Sequence, residues 1–368
     1  MVPGTRPRPT SSVPHRPPIR SAPAVAVFAC LGVFASPPSG LNTFGAIANA
    51  AEPTEAGSGD KKKGRAAKTG SGVPPRMEQP EPRDASTLSP SYSVGQLGDH
   101  LWSVRWELAA VGGALAVIGL ADWGWGDSNF RFIEEGWFAK NTRHGGMDKI
   151  GHAFSTFVIA DLLTDRIRAS AANSTGAQIT GSLLAFGIMG LAETLDGFAG
   201  KHRFSREDIA ANAVGAAFSM IRNTVPGMRE KLDWRLLYTP ASYEKYGITT
   251  SDGGFLPPYE RQRYVMALKG SGFAPLKSTP LRYAELHVGF DARGFENKER
   301  ALRYPIERTF YVGVGLNLNE VLFGAGNLPN FSKQKDTLPA RVAQKAFEYI
   351  QVPYTATYGG KRFSTIRR

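Results

Sequence analysis

Two apolar runs rich in glycine and alanine constrain the fold of this chain most. One is Leu108-Ala-Ala-Val-Gly-Gly-Ala-Leu-Ala-Val-Ile-Gly-Leu-Ala121; the other extends from Gly176 to Glu193. Side chains this small let helix backbones approach closely, as they do in membrane bundles. A bilayer span wants about 20 consecutive apolar residues, and both runs fall short of it. The pattern therefore predicts a tightly packed helical bundle, at a membrane or partly within one. Helices are expected at roughly 98–121, 148–169, 176–196 and 206–222. The second and fourth are read as amphipathic, carrying Asp161, Asp165, Arg166 and Arg222.

The N-terminal region has a different character. Arg6, Arg8, Arg16 and Arg20 precede a short apolar stretch, 22–35, and Ala48-Asn49-Ala50 follows. A positive start, a short apolar run and a small-residue exit read as a secretory signal peptide over 1–50. A retained signal anchor is one alternative. Lipidation is another, because Val27-Phe28-Ala29-Cys30 approximates a lipobox, although Leu31 to Phe34 keep the chain apolar beyond the cysteine. Cys30 is the sole cysteine, so cleavage after Ala50 leaves neither a disulfide framework nor a thiolate metal site. Residues 51–95 hold Pro, Gly, Ser, Lys and Glu with few large apolar side chains, too little to offset chain entropy, and predict a disordered tether. The localisation expected is exported, in the periplasm or at the outer membrane, with a membrane-embedded bundle as the variant.

The formal net charge is +12. Its short clusters, Lys61-Lys62-Lys63-Gly64-Arg65, Lys361-Arg362 and Arg367-Arg368, suit nucleic acid or anionic headgroups. For an exported chain no nucleic acid is expected. The partners are membrane or cell-envelope components, with anionic lipid or phosphate as the ligand chemistry.

Beyond Trp234 the period changes. Arg263-Tyr-Val-Met-Ala-Leu-Lys269, Tyr283-Ala-Glu-Leu-His-Val-Gly-Phe290 and Thr309-Phe-Tyr-Val-Gly-Val-Gly-Leu-Asn-Leu318 alternate in polarity or run β-branched and aromatic, which are strand signals. The last resembles strands of outer-membrane barrels, yet three or four strands cannot close one. The fold class expected is mainly α: a compact helical bundle over 96–235, then a small antiparallel β-rich extension over 236–368, α+β overall. That extension ends in a short helix at 338–350 and a basic tail. Trp102, Trp106, Trp123, Trp125 and Trp137 gather in the first helix and the segment after it. Tryptophan marks membrane–water boundaries but equally fills cores, and both readings stand.

The sequence holds no phosphate-binding G-x-x-x-x-G-K-[ST], no G-x-S-x-G, no H-E-x-x-H and no paired C-x-x-C, which removes support from most familiar enzyme classes. Its chemistry lies in three polar pairs one helical turn apart. Asp148 and His152 stand at i and i+4, Glu193 and Asp196 at i and i+3, and Asp208 and Asn212 at i and i+4; such spacing stacks side chains on one face. Convergence of the three faces would make a centre of carboxylates, one imidazole and one amide, rimmed by Lys149, Lys201, His202, Arg203 and Arg206. A divalent metal on Asp148, His152, Glu193, Asp196 and Asp208 is one use for it, although no strong metal motif identifies a cofactor. Acid–base work by an oriented His152 is a second use. Anion recognition at the helix starts near Asp148 and Ser205 is the third. Plainer roles compete: Ser205 to Asp208 reads as a capping box, and Asp148 after two glycines as an N-cap. Glu193 and Asp196, at a helix C-terminus that opposes their charge, call for partners.

The order Asp148-Lys149-x-x-His152, Glu193-x-x-Asp196-Gly197-Phe198, Phe204-Ser205-x-x-Asp208-x-x-x-Asn212-x-x-Gly215 resembles the signature of the YfiM-type family of periplasmic lipoproteins, domain of unknown function 2279. It is more loosely similar to VanZ-like membrane proteins. The likeness covers about residues 95–235 and implies an exported envelope protein with a helical core, without implying an activity. A fainter likeness to membrane-associated acid phosphatases lacks their second histidine, where Asn212 stands. Two readings follow. One is a structural or interaction protein of the envelope with a buried Asp/His/Glu centre. The other is an enzyme or binding module acting on a phosphate-bearing lipid or cell-wall precursor at that centre.

Overall fold

The computed structural model describes residues 93–138, 142, 144–200, 202–238, 259–295, 297–301, 303–325 and 330–365. The signal peptide, nearly all of the tether, Cys30, Lys201 and the Arg367-Arg368 tail lie outside the described residues. The architecture is the α+β arrangement expected, a helical bundle followed by an antiparallel sheet.

Helices α1 (Val94–Ser103) and α2 (Arg105–Ile118) replace the single first helix, and α2 runs on as a π-helical turn, Gly119–Trp123. Ser93 starts α1 with a full capping box to Gln96. Buried His100 then pins α1 to the bundle, 2.7 Å from Thr180 Oγ1 and 2.7 Å from the Asn173 carbonyl. The bundle proper is α3 (Met147–Ser170), α4 (Ala177–Asp196) and α5 (Arg206–Thr224), mutually packed. Central α3 is buried along most of its length, so the amphipathic reading of this segment is corrected. Asp161 and Arg222 are internal, paired at 2.7 Å across α3 and α5.

Small residues do what the composition suggested, at particular places. A Cβ on Gly215 would lie 2.0 Å from the Ala153 carbonyl oxygen, and one on Gly181 would lie 2.4 Å from Thr164 Oγ1. Both α5 and α4 therefore press directly onto the backbone of α3. In the first run Gly112 and Gly113 face open space, and only Gly119 serves a close approach, since a Cβ there would lie 2.2 Å from the Trp125 ring. Two helices, Arg105–Trp123 and Ala177–Asp196, are apolar and long enough to cross a membrane by length and composition alone, with 39% of each window buried inside the fold. The tryptophans divide: Trp123 and Trp125 are core, whereas Trp102, Trp106 and Trp137 are exposed.

Short β1 (Phe132–Ile133) pairs in parallel with β2 (Phe204–Ser205), which clips the loop before α3 to the start of α5. After the four-residue α6 (Met228–Lys231) comes a five-stranded antiparallel meander. Its strands, in spatial and chain order, are β3 (Leu232–Tyr238), β4 (Gln262–Lys269), β5 (Ala284–Arg293), β6 (Ile306–Leu316) and β7 (Ala356–Thr365). Between them lie α7 (Asn297–Ala301), α8 (Leu318–Phe323) and α9 (Leu338–Tyr349). Strand β3 begins inside the range assigned to the bundle, and β3 and β7 join the three strands the sequence signalled.

Aromatic rings join the sheet to the bundle. Trp234 of β3 stacks on Phe157 at 5.8 Å and meets Phe154 and Phe218 edge-on. Pairs of this kind add roughly 1 kcal/mol each beyond their area. Below them runs an ion network. Arg222 donates to Asp161 at 2.7 Å and Asp233 at 2.8 Å; Arg235 donates to Asp233 and Glu285, and Lys269 to Asp233. Arg229 and Lys345 bond Asp165, and Glu348 lies within 3.5 Å of Arg222 and Arg229.

Candidate functional site

The three polar pairs converge. Gly145 and Gly146, both at positive φ, turn the chain into α3, and Gly146 is its N-cap. Asp148 therefore sits inside the first turn, which corrects the N-cap reading and frees its carboxylate. That carboxylate accepts from Tyr259 Oη on Oδ1 at 2.6 Å and from Lys149 Nζ on Oδ2 at 2.8 Å. One turn on, His152 aims Nε2 at Asp148 Oδ1 and Asp208 Oδ2, each 3.9 Å away. That separation is too long for a hydrogen bond. His152 Nδ1 is buried with no hydrogen-bond partner.

Ser205 caps α5 by accepting from the Asp208 amide at 3.2 Å. Only this half of the expected capping box forms, because the Ser205 amide goes to Glu193, and the Asp208 side chain is left for the centre, where Oδ1 meets Lys149 Nζ at 2.6 Å. Glu193, at the end of α4, accepts from the Ser205 amide at 2.6 Å, and Asp196 accepts from the Trp125 indole at 2.6 Å. These are the partners that two acids at a helix C-terminus required. Asn212 accepts from Thr156 Oγ1 at 2.9 Å, while its Nδ2, fully buried, has no partner.

The rim does not assemble as drawn from the sequence. Lys149 stands inside the centre, enclosed by Asp148, Asp208 and Glu135, the last at 2.6 Å. Arg203 is exposed, Arg206 is exposed with its guanidinium over the Phe132 ring, and His202 lies against Trp123. Sequence reasoning missed Glu135, Tyr259 and the Trp125 indole. None falls in a helical motif, and Tyr259 reaches Asp148 from 111 positions away.

Burial and charge set the protonation. Burial pushes Glu193 up to about 10, helped by the charges of Asp208 and Asp196. Burial also raises Asp196 to about 7, against the pull of the Trp125 hydrogen bond. Glu135 and Asp208 are raised as well, by burial and by the Asp148 charge. Asp148 alone goes the other way: burial opposes ionisation, but Lys149, His152 and His144 overcome it and hold its carboxyl well below the usual range. Burial disfavours charged Lys149 and His152, and the surrounding carboxylates outweigh it and raise both.

Asp148, His152 and Asp208 each offer one ligand atom, all within 4.8 Å of one another. Two hard oxygens and one imidazole nitrogen are a donor set for a divalent transition ion. Calcium would want six to eight oxygens.

No curated protein and no solved structure matches the chain. The stretch from Glu134 to Thr224, which carries Glu135 and every site residue from Asp148 to Asn212, matches the model of the family DUF2279, described as predicted periplasmic lipoprotein.

Proposed function

We propose that this exported envelope protein has a structural or interaction role, and that a divalent cation locks its bundle at Asp148, His152 and Asp208. The observation that supports this is the aim of His152. Its Nε2 faces two carboxylate oxygens at 3.9 Å, each beyond hydrogen-bond reach, while Lys149 occupies the other oxygen of both acids. A cation between these three atoms would offset the burial and the Asp148 charge that raise Asp208, and a neutral imidazole suits a zinc- or manganese-like ion. The ion would join α3 to α5, and Tyr259, bonded to Asp148, would carry that constraint to the turn that enters β4.

The alternative, a phosphate-bearing lipid or cell-wall precursor bound at this centre, draws less support. The Lys149 ammonium is already shared among three carboxylates, and Glu193 and Asp196 add two more acids to this largely buried centre. An anion would meet repulsion there.

The test is metal analysis of the purified protein, followed by calorimetric titration of chelator-treated protein with Zn2+ and Mn2+. The expected outcome is about one ion per chain and a melting temperature that falls on chelation and recovers on reloading. Asp208→Asn and His152→Gln should lose the recovery, and Glu193→Gln, outside the ligand set, should keep it. No heat of binding with either ion, together with a melt indifferent to chelation, would overturn the reading.

A further inference from the structure

The sheet buries its polar face. On it lie Asp233, Arg235, Lys269, Glu285, His287, Asp291 and Thr309. Arg235 pairs with Glu285 at 2.6 Å, His287 Nε2 meets Glu285 at 3.0 Å, and Asp291 accepts from Arg263 and Tyr311. In β6 this face carries Gly313 and Gly315, where a Cβ would strike Tyr358 and His287, each at 2.5 Å. The Val-Gly-Val-Gly alternation thus makes room for polar packing on one face and puts valine on the other.

The outer face is apolar. The register sets Leu268 beside Leu286, Leu286 beside Val314, Val288 beside Val312 and Phe290 beside Phe310. Leu268, Leu286, Val288, Phe310, Val312, Val314, Leu316 and Phe363 are each between 38% and 62% exposed. This face is covered over β3 and β4 by Phe154, Phe157 and Phe218 of the bundle, and at the Phe290 end of β5 by Phe138, with Phe290 and Ala292 buried; over Leu286 and Val288 of β5, Phe310 to Leu316 of β6 and Phe363 of β7 it is bare. Water-soluble antiparallel sheets bury the apolar face and solvate the polar one. The reverse alternation belongs to strands that meet lipid, and a contiguous bare patch marks an interaction surface.

Charge selects the occupant. The register places no acid on this face: β3 to β7 contribute Leu232, Trp234, Leu236, Tyr238; Gln262 to Leu268 in alternation; Ala284 to Ala292 in alternation; Arg308 to Leu316; and Thr357, Gly359, Lys361 and Phe363. The cations gather at one end. Lys361 lies opposite Phe310 with its Nζ 5.5 Å from the Phe363 ring, and Arg308, opposite Phe363, is half-buried with its guanidinium over the Phe295 ring. An apolar field bordered by long cationic side chains and aromatic rings is the arrangement of a surface lying in an anionic lipid–water boundary. The alkyl stems follow the apolar side chains there and the charges reach the headgroups. Two copies packed face to face would bring no acid to meet these cations.

We propose that the outer face of β5, β6 and β7 seats on an anionic lipid bilayer, with the strands lying flat and the Arg308–Lys361 end in the headgroups. In this pose the sheet's backbone stays at headgroup level and its free β7 edge remains hydrated. The seat is separate from the cation centre and does not depend on it.

Flotation of the full chain with vesicles tests this, using phosphatidylcholine alone and an equal mixture with phosphatidylglycerol. The native chain should float with the mixed vesicles and less with the neutral ones. Val312→Asn combined with Val314→Asn should weaken binding to the mixed vesicles at least ~tenfold, and Lys361→Gln should reduce the preference for them. Leu286→Asn with Val288→Asn, on the adjacent strand, repeats the test should the first pair fold poorly. Because the apolar stretch at 22–35 is present in every variant, the difference between chains reads the sheet alone. Equal flotation of native and both doubly substituted chains would overturn the proposal. So would a solution dimer that Val312→Asn/Val314→Asn splits while neither form binds vesicles.

Discussion

Two buried polar clusters hang on the same helix, and their charge balance differs. At the sheet end of α3, Asp161, Asp165, Asp233, Glu285 and Glu348 are met by Arg222, Arg229, Arg235, Lys269 and Lys345. At the N-terminal end of α3, Glu135, Asp148, Glu193, Asp196 and Asp208 face Lys149 and His152. The first cluster is neutral in sum, and Glu348 is held far below its ordinary range because Lys345, Arg222 and Arg229 outweigh the burial that opposes ionisation. The second carries excess acid, four of its five carboxyls are pushed up, and its imidazole has a nitrogen without a partner. Balanced burial of this sort holds elements together. Unbalanced burial stores a demand for protons or a cation, and that demand is why the second cluster, not the first, is the candidate site.

The comparison predicts opposite signs for removing one charge from each cluster. Arg222 is 1% exposed and touches acids on α3, β3 and α9. Arg222→Met leaves Asp161 and Asp233 buried and short of a cation, a loss of about 3–5 kcal/mol, read as a lower denaturant midpoint. Cation affinity at the Asp148 centre should survive wherever the variant is folded. A midpoint unchanged from the native chain would break the contrast.

Removing an acid from the other cluster should stabilise. Glu193 and Asp196 have folded pKa values of about 10 and about 7, against ordinary values of about 4.3 and 3.9 in the unfolded chain. The folded state therefore binds more protons, so stability is greatest in acid and falls as pH rises through those windows. Each pH unit costs about 1.4 kcal/mol per group while it lasts. Chelator-treated protein should melt lower at pH 8 than at pH 5, and Glu193→Gln should melt above the native chain at pH 8. The amide keeps the oxygen that accepts from Ser205 and needs no proton, whereas folded Glu193 must hold one at pH 8 that the unfolded chain has released. Reloading with the cation should flatten the native profile. A variant that melts lower at pH 8 would assign Glu193 to the balanced class.

The helical core was legible in the sequence because its signals are local. The i, i+3 and i, i+4 pairs fixed which acids share a face, and Gly181 and Gly215 mark where the helices meet. The contents of the two clusters were less so. Asp161 and Arg222 read as surface charges because they neutralise each other only across α3 and α5, with further partners on α6, β3 and α9 that no helical spacing signals. Glu135 reaches the centre from a loop and Tyr259 from a single 3-10 turn, neither long enough to show a period. Strand β3 escapes notice because it follows α6 directly, with no turn residue between Lys231 and Leu232, and so reads as the end of the helical region. The inverted sheet was half legible: the resemblance of β6 to a barrel strand was visible, but the polar packing behind Gly313 and Gly315 needed the register.

Ser205 sharpens the comparison at its edge, where capping and site coincide. Its hydroxyl accepts from the Asp208 amide, and its own amide donates to Glu193. Ser205→Ala removes only the first of these, so it should cost about 1 kcal/mol, the usual loss for a cap, and leave the Glu193 bond intact. For a chain of this size that is a fall of a few degrees at most in melting temperature. Ser205→Asn, which can cap without the hydroxyl, should recover most of it. The cation titration should be the same in all three chains, because Asp208 enters the centre through its carboxylate and α5 stays helical from Arg206 onward. Loss of cation binding in Ser205→Ala with the melt preserved would instead put the hydroxyl among the ligands, and extend the unbalanced cluster by one residue.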